Sequence, residues 1–551
     1  MRESSSPGVR GICISLWRSL PDSVLSRVAD LLNLIEKVGH WPEEIIHAYV
    51  AMIPKAAGGS RPQDQRPITV LDVVYRLWAK GVVLAWSPTL QGTYLGSAAM
   101  GFRAQTGPIH LAQLLTDLMV LQQRRGQQLW LASFDVEKCF PSLPWWAVFG
   151  VLARVGVGSA TVGCFRSFYS QLRQRFRYGQ VDGSEWSMAN GLAQGCPASP
   201  DLLNILYEAF HRWASAQQKG VPVDGVSVAS ASFADDLVLA ATSCENMEFL
   251  ISSYLEWCRL LGLKVNLPKT QLWRSAGVGW PVVLTMGGAP VTLYTQDTFR
   301  IVGVELGLAE RPTTVKHLTP RLAKAQLTVK RLAALPVPAT VAAQMWRSAV
   351  LAQPLYGCEL RQITPSLLKP LCGQVRSIAN KAPLGLSNYG AIEVIGGLPL
   401  GACAVRDPRL EVLSRQLRWV VLLANLPGLV GSLHRQLAVL GDSPWKDPTP
   451  ALSLALETVG WTLKRNMACL RASRWPDLDP EPSFRGMVVL QPASPGLPVP
   501  AATVWTDGSF GPLGGGAAVI QPSYGSSVYC CLPCASRSTQ CELVRYLWWV
   551  S

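Results

Sequence analysis

Three aspartates stand at the ends of apolar runs, where a carboxylate needs a chemical reason to be. Asp135 closes the apolar run at 129–134, and Asp235 and Asp236 lie at the bend between two β-rich runs within 225–242. A carboxylate in such a place is unfavourable unless it meets water or a cation. If the two segments are neighbouring strands, Asp135 and Asp235 lie side by side, and like charges ~4 Å apart repel by roughly 4 kcal/mol at an effective dielectric constant of about 20. The pattern therefore predicts a counter-cation.

Mg²⁺ is the cation that this arrangement favours, with Mn²⁺ as the alternative. It prefers hard oxygen ligands and keeps coordination positions for substrate phosphates. Two such ions about 3.5–4 Å apart activate an attacking hydroxyl and hold a leaving pyrophosphate, which is the chemistry of nucleotidyl transfer. An Asp-Asp pair at a bend is also ordinary turn chemistry, so the pair alone does not decide between the two interpretations.

The elements that must position these side chains mix strands and helices without strict alternation. Residues 51–70 are typical of two strands joined by a basic Gly/Pro turn, and helical periodicity marks 71–86, 107–123 and 201–216. This mixture predicts an α+β fold rather than a doubly wound sheet. A basic helix is expected from Lys316 to Leu335, and the proline-rich stretch 474–500 is typical of a linker.

Composition indicates a reduced compartment and a polyanionic partner. The 551 residues carry a formal net charge of +14, which favours nucleic acid, although a solvated basic surface would also explain it. No apolar run reaches the roughly 18 residues of a spanning helix, and no secretory signal is evident, so we expect an intracellular protein without membrane contact. The 14 cysteines show no disulfide framework. The Cys531/Cys534 pair lacks the second ligand pair that a zinc site needs.

Eight short motifs, in order, resemble the reverse transcriptases of non-LTR (LINE-type) retrotransposons over about residues 20–380. Three of them surround the aspartates: LASFDVEKCF at 131–140, GLAQGCPASPDLLNIL at 191–206 and FADD at 233–236. The other five flank these: IPK at 53–55, QRPI at 65–68, GFRAQTG at 101–107, LGLKVNLPKT at 261–270 and FRIVGVELG at 299–307. The resemblance implies a right-hand polymerase in which Asp135, Asp235 and Asp236 are catalytic residues and metal ligands.

The same resemblance implies an order of domains along the chain. It predicts an N-terminal helical extension at 1–50, fingers at 51–128, a palm at 129–310 and a helical thumb at 311–390. A connection at 391–473, the linker at 474–500 and an incomplete ribonuclease H-like domain at 501–551 are expected to follow. The expected activity is RNA-directed DNA synthesis from dNTPs on an RNA template and a DNA primer. The alternative is a catalytically silent remnant that binds nucleic acid, and protein partners are left open.

Several further residues are candidates for substrate contact. Phe140, past a turn after Asp135, would stack under the incoming sugar and exclude a 2′-hydroxyl, as the resemblance implies; a core aromatic is the other interpretation. Gln194, with Gly195, would line the nascent base pair, again by resemblance, ahead of a helix that Ser199 is expected to cap. Lys55 and Arg66 flank a turn that could fold over a triphosphate, or they form an ordinary solvated hairpin.

Three more groups are candidates: one lysine, the basic thumb helix and two C-terminal acids. Lys269 follows a proline in a loop, where it would neutralise or protonate the leaving pyrophosphate, or simply face solvent. The basic thumb helix is expected to contact phosphates without reading sequence. In the C-terminal segment, Asp507 closes an expected strand and Glu542 lies on an expected helix, and both resemble acids of a ribonuclease H site. Because the other two acids of that family are missing before Ser551, we expect no ribonuclease H activity from the 551-residue chain.

Overall fold

The computed structural model describes most of the first two thirds of the chain and scattered segments after that. It covers residues 6–371 except 56–60, 104–105, 180, 287–288, 307–314, 338, 361–367 and 369. Beyond 371 it covers isolated residues between 408 and 426, a helix at 428–439, and strands at 461–463, 470–472, 505–511, 514–521 and 526–532. None of the described helices is long and apolar enough to cross a membrane.

The helices and strands follow the predicted mixed order. The helices are α1 Ile14–Arg18, α2 Asp22–Val38, α3 Val73–Thr93, α4 Pro108–Arg124, α5 Cys139–Ser142, α6 Trp145–Arg154, α7 Ser159–Gln171, α8 Ser199–Ala216, α9 Cys244–Leu260, α10 Val315–Ala334, α11 Ala339–Met345 and α12 Gly428–Val439. The first ten strands are β1 His47–Pro54, β2 Gln65–Val70, β3 Trp130–Phe134, β4 Arg173–Tyr178, β5 Val181–Ser187, β6 Val221–Val223, β7 Val226–Val228, β8 Ser230–Phe233, β9 Asp236–Ala241 and β10 Gln271–Arg274. The later strands are β11 Pro281–Met286, β12 Ala289–Tyr294, β13 Phe299–Ile301, β14 Val304–Leu306, β15 Trp461–Leu463, β16 Leu470–Ala472, β17 Trp505–Gly511, β18 Gly514–Gln521 and β19 Ser526–Leu532.

Two compact units make up the chain. The first comprises Met1–Leu111 and Gln127–Val302, and the second comprises Ala112–Gly126 and Gly303–Ser551. The first unit holds the predicted carboxylates, and its boundary at Val302 lies close to the predicted end of the palm. Strand β1 begins at His47, shortly before the predicted start of the fingers at residue 51.

The central sheet of the first unit has the strand order β10-β3-β9-β8, and its strands are antiparallel. All five residues of β3 are buried, which explains why its sequence is an uninterrupted apolar run with one small polar residue, Ser133. Helices α8 and α9 pack against this sheet, α8 on β8 and α9 on β3 and β9. The predicted meeting of the runs within 225–242 is confirmed as the β8–β9 hairpin.

A second four-stranded sheet in the same unit has the order β2-β1-β4-β5. Strands β1 and β2 form the predicted antiparallel hairpin, while β1 and β4 are parallel and are therefore joined by a long crossover. Buried aromatic rings, among them Trp41, Tyr75 and Phe168, belong to the main core of this unit. The Tyr75 and Phe168 rings stack with centroids 3.4 Å apart, and the Trp41 indole N–H donates to Cys164 O.

The second unit contains the predicted basic helix. Helix α10 spans Val315–Ala334, and Leu322, Val329 and Leu332 turn into a small apolar core with Trp346. Lys324, Lys330 and Arg331 are exposed on it. At the C-terminal end, β17, β18 and β19 form an antiparallel sheet in that order, so the predicted strand–turn–strand is confirmed.

The β8 strand is held to helix α8 by a buried histidine. His211 Nδ1 bonds to Ser230 Oγ at 2.7 Å and Nε2 to Ser232 Oγ at 2.8 Å, so one ring nitrogen donates and the other accepts. Burial lowers the pKa of His211 to about 3. The imidazole is therefore neutral in the folded chain, whereas it would become protonated below about pH 6.5 in the unfolded chain.

The pH dependence of stability should reveal this neutral histidine. Protons bind the unfolded state below the unfolded pKa, so the contribution of His211 to stability is present above about pH 6.5 and is lost as the pH falls, by up to about 1.4 kcal/mol per pH unit. We predict that the gap in thermal midpoint between the wild type and His211→Gln narrows from pH 7.5 to pH 5. A gap that stays constant over that range would contradict a neutral His211.

Candidate active site

Asp135 is placed by the end of strand β3 and by a loop that closes over it. It directly follows Phe134, the last residue of the strand, and its backbone carbonyl accepts a hydrogen bond from Asn266 N at 2.8 Å. An isolated β-bridge joins Val136 to Val265 next to it. The chain then turns at Lys138, whose φ of +48° allows the sharp change of direction before α5. The Asp135 carboxylate is half-buried at this edge of the sheet.

Asp235 and Asp236 occupy the tip of the β8–β9 hairpin. Phe233 pairs with Asp236, so Ala234 and Asp235 form a two-residue turn, and Ala234 has a φ of +56°. The β3–β9 register pairs Phe134 with Leu237. One step further along the same register, Asp135 stands opposite Asp236 and not opposite Asp235. Asp235 is a turn residue and therefore not a strand partner of Asp135, although the charge of Asp135 acts on its carboxyl group.

Burial and the neighbouring carboxylates both disfavour the charged forms of Asp235 and Asp236. Burial, followed by the charges of Asp235 and Asp135, raises the pKa of Asp236 to about 6. Burial also raises the pKa of Asp235, and the charge of Asp135 adds to that rise. Both shifts mean that the anionic forms are incompletely compensated by the protein's own charges.

Two cations from distant parts of the chain oppose this repulsion. Lys269 Nζ donates to Asp135 Oδ2 at 3.0 Å, and the Lys269 side chain is 66% exposed. The charges of Arg66 and Lys269 both act to lower the pKa of Asp235. An ion pair this exposed contributes at most about 1 kcal/mol to stability. Lys269 therefore serves the electrostatics of the site more than the stability of the fold.

The donor set fits a divalent cation, which would supply the positive charge that Arg66 and Lys269 provide only in part. The described residues contain no group of three or more His, Cys, Asp and Glu side chains arranged to hold a metal ion. Mg²⁺ usually takes one or two carboxylates and completes its shell with water and substrate phosphates, so a closed protein cage is not required. Asp135, Asp235 and Asp236 are suitable for such an open site.

The segment with Gln194 and Gly195 joins the two sheets of the first unit. Gly191 N donates to Leu143 O and Leu192 N donates to Phe140 O, which fixes one end of the loop to α5. At the other end, Thr69 N donates to Gln194 O. A Cβ at Gly195, whose φ is +133°, would lie 2.2 Å from Thr69 O, so only glycine fits at this approach.

The predicted cap at Ser199 is wrong. Helix α8 begins at Ser199, and its hydroxyl donates to Ala193 O instead of accepting from a backbone N–H of the first helical turn. The residue thus ties the helix to the preceding loop. Phe140 is half-buried and packs against the main core, which agrees with the core interpretation and leaves part of the ring exposed.

The sequence motifs suggested no role for the segment at 98–101, which supports the β8–β9 hairpin, called the catalytic hairpin below after its proposed role. Met100 N donates to Ser232 O, Ser232 N donates to Ala98 O, and a Cβ at Gly101 would lie 2.4 Å from Ala234 N. The buried Asn204 side chain donates to Gly101 O at 2.6 Å. The only signal was the GFRAQTG motif itself, since close backbone approach leaves no other mark on a sequence.

Of the remaining predicted residues, Lys55 and Asp507 are among the described residues and Glu542 is not. Lys55 directly follows β1, and its backbone N–H donates to Asp64 O at 2.8 Å. Asp507 lies inside β17, which runs on to Gly511, so the expectation that it closes the strand is wrong. It pairs with Ala518 of β18. Glu542 lies outside the described residues, as do the linker at 474–500 and the expected helix around Glu542.

One family model matches part of the chain. A family model described as reverse transcriptase (RNA-dependent DNA polymerase) matches residues 53–306. That match takes in the three aspartates together with Lys55, Arg66, Phe140, Gln194, Gly195 and Lys269.

Two curated relatives come from retrotransposons. The Retrovirus-related Pol polyprotein from type-2 retrotransposable element R2DM of Drosophila melanogaster is 28% identical over 274 residues, which is 48% of this chain and 24% of the relative. The Retrovirus-related Pol polyprotein from type-1 retrotransposable element R2 of Popillia japonica is 23% identical over 392 residues, 68% of this chain and 52% of that protein. The chain thus spans between about a quarter and about half of these relatives.

Among solved structures, a telomerase from Candida albicans in complex with a TWJ fragment of telomeric RNA matches 77% of this chain and 66% of its own, at 13% identity and a TM-score of 0.39. A likeness of this degree carries no argument about fold or function.

The contact between Gly101 and the hairpin can be tested by adding one methyl group. Gly101→Ala would push a Cβ into the backbone of Ala234, and overpacking of this kind typically destabilises by about 1–3 kcal/mol. We predict a lower thermal midpoint. The control is Gly163→Ala inside α7, where a Cβ meets nothing within 4 Å and the change should stabilise by roughly 0.5–1 kcal/mol. An unchanged midpoint for Gly101→Ala would show that the hairpin is not seated on this segment.

Proposed function

We propose, from the premise that residues 53–306 are a reverse transcriptase domain of the non-LTR retrotransposon type, that this chain is an RNA-directed DNA polymerase. The observation that carries the proposal is the convergence of Asp135 with Asp235 and Asp236 at one edge of the β10-β3-β9-β8 sheet. The raised pKa values of Asp235 and Asp236 indicate a site built to be completed by a cation. In a right-hand polymerase fold, the three aspartates would belong to the palm.

The reaction is attack of a primer 3′-hydroxyl on the α-phosphate of a dNTP, directed by an RNA template. We assign Asp135, Asp235 and Asp236 as the residues that would hold Mg²⁺, as two ions, with Mn²⁺ as the alternative. Bound there, the metal would activate the hydroxyl and stabilise the charge on the pyrophosphate that leaves. Asp135 and Asp236 face each other from paired strands, so the protein holds its carboxylates in place before any substrate binds.

The cations around the carboxylates fit a triphosphate. Arg66 acts on Asp235 from strand β2, and a guanidinium can grip phosphate through two parallel hydrogen bonds. We assign Arg66 and Lys55 to the triphosphate and Lys269 to the leaving pyrophosphate. Gln194 and Gly195 are assigned to the nascent base pair, and Phe140 to the sugar. The Gly195 contact with Thr69 supports this assignment, because it fixes the loop to the strand that carries Arg66.

The assignment of domains follows from the same premise. We assign fingers to 51–128, palm to 129–310 and thumb to 311–390, with Lys324, Lys330 and Arg331 of α10 as phosphate contacts. The three strands at 505–532 would belong to the ribonuclease H-like segment, whose candidate acids are Asp507 and Glu542. Absence of ribonuclease H activity remains a prediction for this chain.

Removal of one carboxylate charge tests the mechanism. We predict that Asp235→Asn lowers primer extension on an RNA template by more than about a thousandfold, because a lost metal ligand removes several kcal/mol of charge stabilisation. Folding should be retained, since the change removes a charge that burial disfavours. The matched control is Asp224→Asn at the exposed β6–β7 turn, where φ is +48° and asparagine is tolerated.

The two functions considered for the chain give different results in this assay. Extension by the wild type that EDTA abolishes supports the polymerase. Nucleic-acid binding without extension in Mg²⁺ or Mn²⁺ would support the catalytically silent remnant instead. Full activity of Asp235→Asn would exclude the proposed role of that carboxylate.

Lys269 should affect catalysis without affecting stability. Its ion pair with Asp135 is exposed, so Lys269→Ala should lower the free energy of unfolding by under about 1 kcal/mol. The thermal midpoint should therefore change very little. We predict that the rate constant for nucleotide incorporation falls at least about tenfold, because a positioned proton donor or cation near the leaving group is lost. Lys264→Ala is the matched control, since Lys264 forms an equally exposed pair with Glu137. Equal rates in the two variants would leave Lys269 without a catalytic role.

A further inference from the structure

Phe102 has an unusual backbone conformation beside the catalytic hairpin. Its φ is +58°, in the left-handed region that bulky residues avoid. Such a conformation persists only where the surroundings enforce it, and strained residues of this kind cluster at active sites. The enforcement is visible in its neighbour Gly101, which is pressed against Ala234 and bonded to Asn204.

The Phe102 ring lies between two other aromatic rings of the site. It meets the Phe140 ring edge to face, with centroids 6.3 Å apart and an interplanar angle of 78°. On another side its centroid is 6.4 Å from that of Phe233, with the two planes inclined by 28°. Phe233 is the residue that pairs with Asp236 at the end of the hairpin. Phe102 therefore connects the aromatic ring assigned to the sugar with the strand pair that carries the carboxylates.

The ring of Phe102 is not part of the hydrophobic core in the ordinary sense. It is 50% exposed, although a phenylalanine at a strained backbone position would gain most from burial. The ring that it contacts, Phe140, is the one assigned to the sugar of an incoming nucleotide. A half-exposed aromatic ring held in a strained conformation is better explained by a positioning role than by packing.

We propose that Phe102 is a positioning residue for sugar selection: its ring fixes the Phe140 ring relative to the catalytic hairpin, so that Phe140 can exclude a 2′-hydroxyl. This inference rests on the proposed function. Phe140 would make the steric contact, and Phe102 would act through it. Discrimination by steric exclusion requires a wall that does not yield, and the edge-to-face contact restricts movement of the Phe140 ring.

The test compares incorporation of one dNTP with that of the matching rNTP. The readout is kcat/KM for the dNTP divided by kcat/KM for the rNTP. A merely structural defect would lower both values by the same factor and leave their ratio unchanged. We expect Phe102→Ala to lower this ratio about two- to tenfold, the range that corresponds to loss of one aromatic pair. Phe140→Ala should lower it further, and the double variant should behave like Phe140→Ala alone because Phe102 acts only through Phe140.

Further variants separate the ring from the backbone. Phe102→Gly removes the ring and relieves the positive φ, so it should lose discrimination as Phe102→Ala does while being more stable. Phe102→Tyr keeps the ring and should keep the ratio. Phe249→Ala is the control: that ring is 39% exposed on α9, stacks on Trp213 and has no contact with Phe140 among the described residues.

The outcomes distinguish this inference from the proposed function. A wild type that extends no primer overturns both. A wild type that extends and discriminates, with a Phe102→Ala ratio equal to its own, overturns the inference alone, and so does an additive loss in the double variant. If Phe102→Ala does not fold, the Phe102→Gly variant decides in the same way.

Discussion

The mutual repulsion of three carboxylates is the constraint on which the first unit depends. Strands β3 and β9 hold Asp135 opposite Asp236, and the turn of the hairpin adds Asp235 beside them. Nothing in that arrangement is favourable in itself, as the pKa of Asp236, raised to about 6, shows. The fully buried strand β3 fixes this register, because a slip of one residue would turn every one of its side chains to the other face of the sheet. Apolar burial thus provides the free energy that keeps the charges together.

Around the carboxylates, the site is assembled by backbone contacts rather than by side-chain packing. Gly101 lies against Ala234, Gly191 against Pro141 and Gly195 against Thr69, each so closely that a Cβ would lie 2.2–2.4 Å from a main-chain atom. Contacts of this kind leave little room for rotamer adjustment, because main-chain atoms cannot move without moving an entire strand or loop. These contacts fix Gly101 to the hairpin and fix the loop at 191–195 to α5 and to strand β2. This rigidity is what a site needs if it is to be preorganised for charge that develops during a reaction.

The sequence predicted the composition of this site better than its geometry. The sequence predicted the three aspartates because a charge at the end of an apolar run is rare. It predicted the β8–β9 hairpin because two β-rich runs meet at Asp235 and Asp236. The position of Asp135 opposite Asp236 could not be predicted from the sequence, because the register depends on which residues form the turn. Ser199 was misjudged because its local pattern suits a cap, while a tertiary bond to Ala193 decided its hydroxyl's partner. Phe102 and Asn204 lie within quoted motifs, but their contacts were not predictable, since neither a positive φ nor a bond to a distant carbonyl follows from residue type.

The incomplete compensation of the carboxylates has a consequence for ligand binding. A chain with a net charge of +14 attracts any polyanion, yet three carboxylates at the reacting centre repel phosphate. Lys269 and Arg66 reduce that repulsion but leave the pKa values of Asp235 and Asp236 raised. If fixed arginines neutralised the carboxylates completely, the site would lose its affinity for a cation. If nothing neutralised them, their negative charge would repel the triphosphate. The exposed Lys269 on one Asp135 oxygen neutralises the site in part. Its ammonium group can turn from Asp135 towards a phosphate at a free-energy change of at most about 1 kcal/mol. The positive charge of the protein and the negative charge of its site are therefore suited to binding a polyanion and a divalent cation together rather than either one alone.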